Sequence, residues 1–381
     1  MVAGAKERQG ASRRLSLETQ LWIEVFLLIA FGLILIYSAS SIAALKKFAD
    51  ASHYMKRQFI CIGLGMCIIF LVGRTSYKTC KKHIGWMMLG TLFMLALVLI
   101  PGVGAEINSA RRWFQFKGFL FQPAEFAKVI WTVFLSISLV KKQDKIKQAT
   151  ASFWPYMLLF GFIAALLLKE PDFGTTFMLG CLTVIMMAVA GVPCRYFILL
   201  IPVAAAGFYR FVYLVAYRWE RITAFSNPWT DPLDSGYQLI QAWIAVGSGG
   251  LLGKGLGAGQ QKLFYLPESY TDFILAVIGE ELGFVGIAVV CALFFFFFRT
   301  GFQISRQATD LLGSLMALGL TMLLSLQAIL NMAVVLGLMP TKGMPLPFIS
   351  YGGSAFTANC IAVGLLMSIA RSTETRMERD V

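Results

Sequence analysis

Long apolar runs separated by short polar segments dominate the chain, and several reach the roughly 20 residues that a helix needs to cross a hydrocarbon core. Ten such runs fall at about residues 20–40, 58–73, 84–101, 124–140, 152–168, 172–192, 196–215, 273–298, 311–338 and 354–370. The pattern predicts an all-α membrane protein, a polytopic bundle of about ten transmembrane helices. An even number of spans puts both termini on one side. Segments on that side hold 18 Lys and Arg against 13 on the other, which favours cytoplasmic termini. The expected plan is a cytoplasmic tail over 1–19, a transmembrane domain over 20–370 and a second cytoplasmic tail over 371–381. A large extracytoplasmic loop, 216–272, joins the seventh and eighth helices. The basic N-terminal stretch runs into a long apolar segment with no small-residue cleavage site, so it reads as the lead into a first span. No internal repeat is evident, which argues against the inverted-repeat transporter architectures.

Composition supports this picture. Of 381 residues, 58% are hydrophobic and 14% charged, whereas soluble domains carry about 25% charged residues. The net charge of +13 would suggest a nucleic-acid partner in a soluble protein. Here the basic residues sit in short loops, where they set topology and meet anionic lipid, so membrane lipid is the expected contact and nucleic acid is not. The seven cysteines fall in spans or cytoplasmic loops, so no disulfide framework is implied. Two histidines and no metal-type spacing exclude a structural zinc site. Most acidic residues lie on the outer side, which places the polar chemistry there.

Three outer segments carry candidate chemistry. In the large loop, Gln238 to Val246 has the pattern of an interfacial amphipathic helix. The glycine-rich stretch Gly247 to Gly259 follows it and lacks the spacing of a nucleotide-binding loop. It reads either as a turn allowing close helix approach or as backbone N–H groups that, with Lys254 or Lys262, contact a phosphate. Thr271 and Asp272 precede the eighth span, where capping is the plain role. Glu280 lies about 80° round the helix from Asp272 and about 12 Å deeper, so both acids are candidates for one cavity. Glu281 points the other way and reads as a structural ion-pair partner.

The fourth span opens on Gln122-Pro-Ala-Glu125-Phe-Ala-Lys128, with Glu125 and Lys128 neighbours on one helix face. They form either an internal salt bridge or the charged wall of a cleft. Before them, Arg111, Arg112, Trp113 and Lys117 suit a sugar on an anionic carrier, because Trp offers a flat face and Arg a forked donor for phosphate. The last outer loop, Pro340 to Ser354, is rich in proline and glycine. Its irregular backbone must be buried in protein or line a cavity, which makes Lys342 and Ser350 candidates for ligand contact.

At these residues the chain resembles the SEDS family of bacterial cell-wall polymerases, in the FtsW/SpoVE division branch, with RodA as a relative. The motifs are Ile100-Pro-Gly-Val-Gly104, Arg112-Trp113, Gln122-Pro-Ala-Glu125 with Lys128, Pro171-Asp-Phe-Gly-Thr175 and Asn227-Pro-Trp-Thr-Asp-Pro232. Gly236-Tyr-Gln-Leu-Ile-Gln241, Phe264-Tyr-Leu-Pro-Glu268, Thr271-Asp-Phe273, Gly279-Glu-Glu-Leu-Gly283 and Pro345-Leu-Pro-Phe-Ile-Ser-Tyr-Gly-Gly-Ser354 follow in order. The resemblance implies ten transmembrane helices and peptidoglycan glycosyltransferase activity on lipid II in the bacterial inner membrane, at the division septum. It also implies a class B penicillin-binding protein, an FtsI-like transpeptidase, as partner alongside other division proteins. The family's essential acid falls on Asp272, and its cavity Glu and Lys on Glu125 and Lys128. Ala124, Tyr270 and Ala355 depart from the usual serine, histidine and serine.

The implied reaction inverts an α-linked glycosyl pyrophosphate to a β-1,4 bond. It needs one general base, expected to be Asp272, and neutralisation of the departing pyrophosphate by cations such as Arg112 and Lys128. A divalent cation, Mg or Mn, is the one cofactor left open, with Asp272 as a candidate ligand. No nucleotide or organic cofactor is expected. Substrate contacts are expected from Glu125, Lys128, Arg112, Trp113, Gln122, Lys117, Glu280, Lys342 and Ser350. A lipid II flippase or other transporter, and a non-catalytic division scaffold, are the competing classes.

Overall fold

The apolar runs become helices in a computed structural model that describes residues 15–107, 110–116 and 119–379. In chain order, α1 is Leu17–Phe48, α2 His53–Arg74 and α3 Cys80–Leu97, followed by strands β1 (Ala105–Ile107), β2 (Ala110–Phe116) and β3 (Phe119–Phe121). Helix α4 is Pro123–Lys141, α5 Ala149–Ser152, α6 Trp154–Lys169, α7 Phe173–Ala190, α8 Arg195–Ile198, α9 Leu200–Phe208 and α10 Ala216–Ser226. Then come α11 (Tyr237–Gly249), α12 (Ile274–Gln307), α13 (Leu311–Val335) and α14 (Gly353–Arg379). Among the described residues, 8 helical segments are long and apolar enough to cross a membrane.

Two of the ten expected spans differ from that simple form. The third, α3, opens on Lys81, Lys82 and His83, which dilute its hydropathy. The seventh is not one rod: α8, α9 and a π-helical turn over Tyr209–Tyr213 divide it, and Pro202 inside α9 removes a backbone donor. The outer loop before α4 is also not irregular. It folds into a three-stranded antiparallel sheet, order β1-β2-β3, with Ala105 opposite Trp113 and Phe114 opposite Phe121.

Helix contacts rely on small residues where backbones approach closely. On α2, a Cβ at Gly65 would lie 2.6 Å from both Cys360 Sγ and the Phe356 ring of α14. On α1, a Cβ at Gly32 would lie 2.6 Å from the Phe348 carbonyl, so α1 backs directly onto the proline-rich loop. Phe26, Phe59, Leu71, Trp86, Phe93 and Phe295 stand exposed on the outside, as lipid-facing side chains do. The phenylalanine run divides: Phe294 and Phe297 are buried, Phe295 and Phe296 exposed. Glu18 of α1 pairs with Arg371 of α14, so both ends of the bundle's chain lie at one face. All seven cysteines are free.

The large loop is ordered by α12. The expected amphipathic helix forms as α11, but it buries Leu239, Ile240, Ala242 and Ala245 within the protein and packs against α12. Helix α12 breaks at Gly283, whose φ of 64° is left-handed. The glycine-rich segment fills the break: Lys254 N–H donates to Glu280 O, Gly255 N–H to Glu281 O and Phe284 N–H to Gly250 O. No side chain fits there, since a Cβ on Gly283 would lie 2.4 Å from Gly253 N.

The break therefore predicts a stability effect. Gly283→Ala combines a positive φ with a backbone clash and is expected to cost about 2 kcal/mol or more. Thermal denaturation of the detergent-solubilised protein should show a clear fall in melting temperature, larger than that of Gly63→Ala, whose Cβ would meet nothing within 4 Å.

Candidate active site

A cleft of about 2020 Å³ opens at the end of the bundle where the sheet, the α6–α7 turn, the Asp272 segment and the proline-rich loop meet. Its polar wall includes Arg112, Trp113, Gln122, Glu125, Asp172, Glu268, Asp272 and Lys342. Leu158, Phe160, Ala164, Val184, Phe208 and Phe211 line an apolar extension between α6, α7 and α9.

Asp272 is placed by a tight turn. Glu268 takes a left-handed backbone conformation (φ 53°), and its carbonyl accepts from Thr271 N–H at 3.2 Å and Phe273 N–H at 3.1 Å. Phe273 is the N-cap of α12 and no side chain caps it, so the plain capping role fails for Asp272. Its carboxylate instead abuts Gly343, where a Cβ would lie 2.9 Å from Asp272 Oδ2. Burial pushes the Asp272 carboxyl up to about 7, and the nearby charge of Glu268 adds to this. Arg112 pulls in the opposite direction, while Asp172 and Glu125 push up further.

The cations are held differently from one another. Arg112 donates through Nε to Glu170 O at 2.7 Å and through a terminal nitrogen to Pro171 O at 2.8 Å, which pins it to the α6–α7 turn. Its guanidinium lies 6.0 Å from the Trp113 ring centroid. Lys342 Nζ sits 4.2 Å from the Phe177 ring centroid and 5.1 Å from that of Phe173. Burial pulls its pKa down to about 8. Glu170 behind Arg112 is fully buried, and burial followed by the Asp172 charge raises its carboxyl to about 9, so it is neutral at pH 7. Asp172 caps α7 by accepting from Thr175 N–H at 3.0 Å.

Lys128 does not reach the cleft wall. It is buried beneath Glu125, 2.6 Å from that carboxylate, and donates to Gln327 Oε1 at 2.8 Å. Both earlier readings of the pair therefore apply in part, because Glu125 lines the cleft and Lys128 neutralises it from behind. Gln122 lines the cleft beside Ser354, whose Oγ accepts from Gln122 N–H. Lys117 lies outside the described residues.

Two expected ligand contacts have other duties. Glu280 is fully buried away from the cleft, 2.9 Å from Lys254 Nζ and accepting from the N–H groups of Gln260 and Gln261. Ser350 is buried, accepting from Leu346 N–H and donating to Thr271 O, so it braces the Asp272 segment. Glu281 is the ion-pair partner its direction suggested, 2.6 Å from Lys262 Nζ and bonded to Ser38. The glycine-rich N–H groups and both lysines thus serve an anion, but that anion is the protein's own pair of carboxylates. Asp172, Glu268 and Gly343 were not singled out by pattern, although Asp172 and Glu268 lie within the quoted motifs. Among the described residues, no group of three or more His, Cys, Asp or Glu is arranged to hold a metal ion.

The FtsW/RodA/SpoVE profile, described as "Cell cycle protein", matches residues 18–375. The chain belongs to this family. It is 45% identical over 343 residues to a Geobacter sulfurreducens protein named "Probable peptidoglycan glycosyltransferase FtsW", covering 90% of this chain and 92% of that one. It is 40% identical to the Stage V sporulation protein E of Bacillus subtilis, covering 94% and 98%. Among solved structures it matches a chain of a peptidoglycan synthase complex that coordinates polymerization and crosslinking, with TM-score 0.74, 29% identity and coverage of 93% and 97%. The rod shape determining protein RodA of Thermus thermophilus matches with TM-score 0.66 and 27% identity, covering 92% and 96%. The family's helical fold is therefore this chain's fold, as a multi-pass membrane protein.

The Glu125–Lys128 pair is measurable by itself. Lys128→Met leaves a buried carboxylate without its cation and is expected to cost about 3–5 kcal/mol. The double variant with Glu125→Leu should recover most of that stability in the same detergent melt. Equal melting of the single and double variants would show that the pair is not energetically coupled.

Proposed function

We propose that this family member catalyses lipid II polymerisation at the described cleft, with Asp272 as general base. The chain is a peptidoglycan glycosyltransferase, as its relatives are named, and the site assignment rests on one observation. A carboxyl poised near neutrality stands in a cleft whose charged rim continues into an apolar wall. Lipid II has the same division, with a sugar and pyrophosphate at one end and a polyprenyl chain at the other.

In the proposed step, the 4-hydroxyl of the acceptor sugar attacks the anomeric carbon of the donor and its proton passes to Asp272. The bond from that carbon to the pyrophosphate oxygen breaks, and undecaprenyl pyrophosphate leaves with the electron pair. One displacement inverts α to β and requires no enzyme nucleophile. Arg112 and Lys342 stand on the rim to neutralise the leaving group, a duty that passes from Lys128 to Lys342 because Lys128 is shut behind Glu125. Trp113 supplies a flat face for a sugar. The step as written uses side chains alone, and whether a divalent cation assists it is decided by chelation. In the cell, the reading extends to cytoplasmic termini, action at the division septum and a class B penicillin-binding protein as transpeptidase partner. The synthase complex among its structural matches supports that partner.

The test is polymerisation of labelled lipid II by the protein with its cognate transpeptidase. Wild type should give glycan ladders, and folded, partner-bound Asp272→Asn should lose activity by about 10²–10⁴-fold. Ladders from Asp272→Asn at the wild-type rate would remove it as base. Lipid II crossing vesicles without ladders from wild type would favour the transporter class, and loss of ladders on chelation would contradict the metal-free step. The pH profile has a definite sign. Asp272 must be deprotonated, so kcat/KM should rise through about pH 7, and Lys342 must be protonated, so it should fall above about pH 8. Lys342→Arg should retain the rising limb and lose the falling one.

A further inference from the structure

Three consecutive carbonyls lead into α12, and each is gripped from outside its own segment. Tyr270 O accepts from Tyr351 N–H at 3.0 Å. Thr271 O accepts from Ser350 Oγ. Asp272 O accepts from Asn331 Nδ2 at 2.8 Å. The first two grips come from the proline-rich loop. The third comes from α13, and the same Asn331 nitrogen also donates to Met344 O at 2.7 Å.

Asn331 is thus a two-pronged clamp between the acid's backbone and the loop that presses on the acid's carboxylate at Gly343. Its orientation is determined by chemistry, since reversing the amide would set its oxygen against two carbonyl oxygens. Asn331 is 2% exposed, and its Oδ1 has no hydrogen-bond partner among the described residues. A buried acceptor left unused is costly, so this amide contributes through its two N–H bonds. One helical turn earlier on α13, Gln327 makes the parallel link, accepting from Lys128 Nζ and donating to Pro345 O at 2.8 Å. The two amides are four residues apart and therefore share one helix face.

We propose that Asn331 is a positioning residue for the glycosyl transfer, locking the backbone of Asp272 to the Met344–Pro345 segment so that the carboxylate is held in the cleft. The proposal rests on Asp272 being the base. Without the clamp, the carbonyls of residues 270 and 271 remain held but that of Asp272 is released, so the turn can tilt at the acid itself. The carboxylate then loses both its alignment to the acceptor hydroxyl and its desolvated setting. A displacement of about 1 Å at such a group costs on the order of 10²-fold in rate.

The test compares wild type, Asn331→Leu, which has a similar shape but no donors, and Asn331→His, which retains one N–H. Each is assayed on lipid II with the transpeptidase partner bound, and rates are normalised to folded complex. Asn331→Leu should lower kcat about 100-fold with little change in KM, and should move the rising limb of the pH profile below about 7. Asn331→His should fall between the two, and it carries the test if the leucine variant does not fold. A normalised rate and an acid limb equal to wild type in either folded variant would overturn the positioning role and leave Asn331 a structural amide. Asp272→Asn runs in parallel and separates the two ideas. If it retains the wild-type rate, the base assignment itself fails. If it is inactive while the Asn331 variants are unaffected, only the clamp fails.

Discussion

Irregular backbone buried within a protein has no water to satisfy it, so each N–H and C=O there must find a partner among its neighbours. This molecule carries two such segments side by side, the Asp272 turn and the proline-rich loop, and they satisfy one another. The carbonyls of residues 270, 271 and 272 are held by Tyr351, Ser350 and Asn331, and Gln327 and Asn331 hold the carbonyls of Pro345 and Met344. Helix α1 closes the back of the loop, with Gly32 against Phe348 and Ile349. The site can therefore be polar inside an apolar bundle because its backbone is already paid for by neighbours.

Two kinds of buried acid separate scaffold from chemistry. Glu280 and Glu281 each have a lysine, and loop N–H groups complete their coordination. Such carboxylates are saturated with donors, and they bind the glycine-rich segment onto the broken α12. Asp272 has the opposite setting, with Glu268, Asp172 and Glu125 as like-charged neighbours and Arg112 as the main opposing charge. A carboxyl that is neither fully ionised nor fully neutral at pH 7 can take up and release a proton. The same logic explains Glu125: with Lys128 directly behind it, it gives the wall a compensated charge.

The helix break at Gly283 also has a spatial consequence. The first half of α12, from Ile274 to Glu281, is fully buried, so Asp272 stands at the start of a helix locked on all sides. Helix α11 and the glycine-rich turn bear on that half-helix. The long outer loop is therefore part of the support of the site, although only a few of its residues, such as Gln238 and Glu268, reach the cleft wall.

Apolar runs of sufficient length and the basic tally of their connecting loops were enough to read the membrane class, about ten helical runs and a common face for the two ends. Of those runs, eight form described helices long and apolar enough to cross a membrane. The motif residues Arg112, Glu125 and Asp272 could be read as one site, because charges within or beside a span have few other uses. What the sequence could not provide was the distance between segments. A period of 3.6 places Glu280 near Asp272 on a wheel, but the break at Gly283 and the fold-back of residues 250–262 turn Glu280 into a scaffold ion. Lys128 reads as a wall cation from its spacing to Glu125, and only the packing of α4 on α13 shuts it away. Asn331 and Gln327 carried no local signal, because a lone amide in a span has meaning only through the carbonyls brought against it. Local composition determines which residues enter the bilayer. Which of them meet depends on contacts between segments far apart in the chain, and those are set by the packed structure.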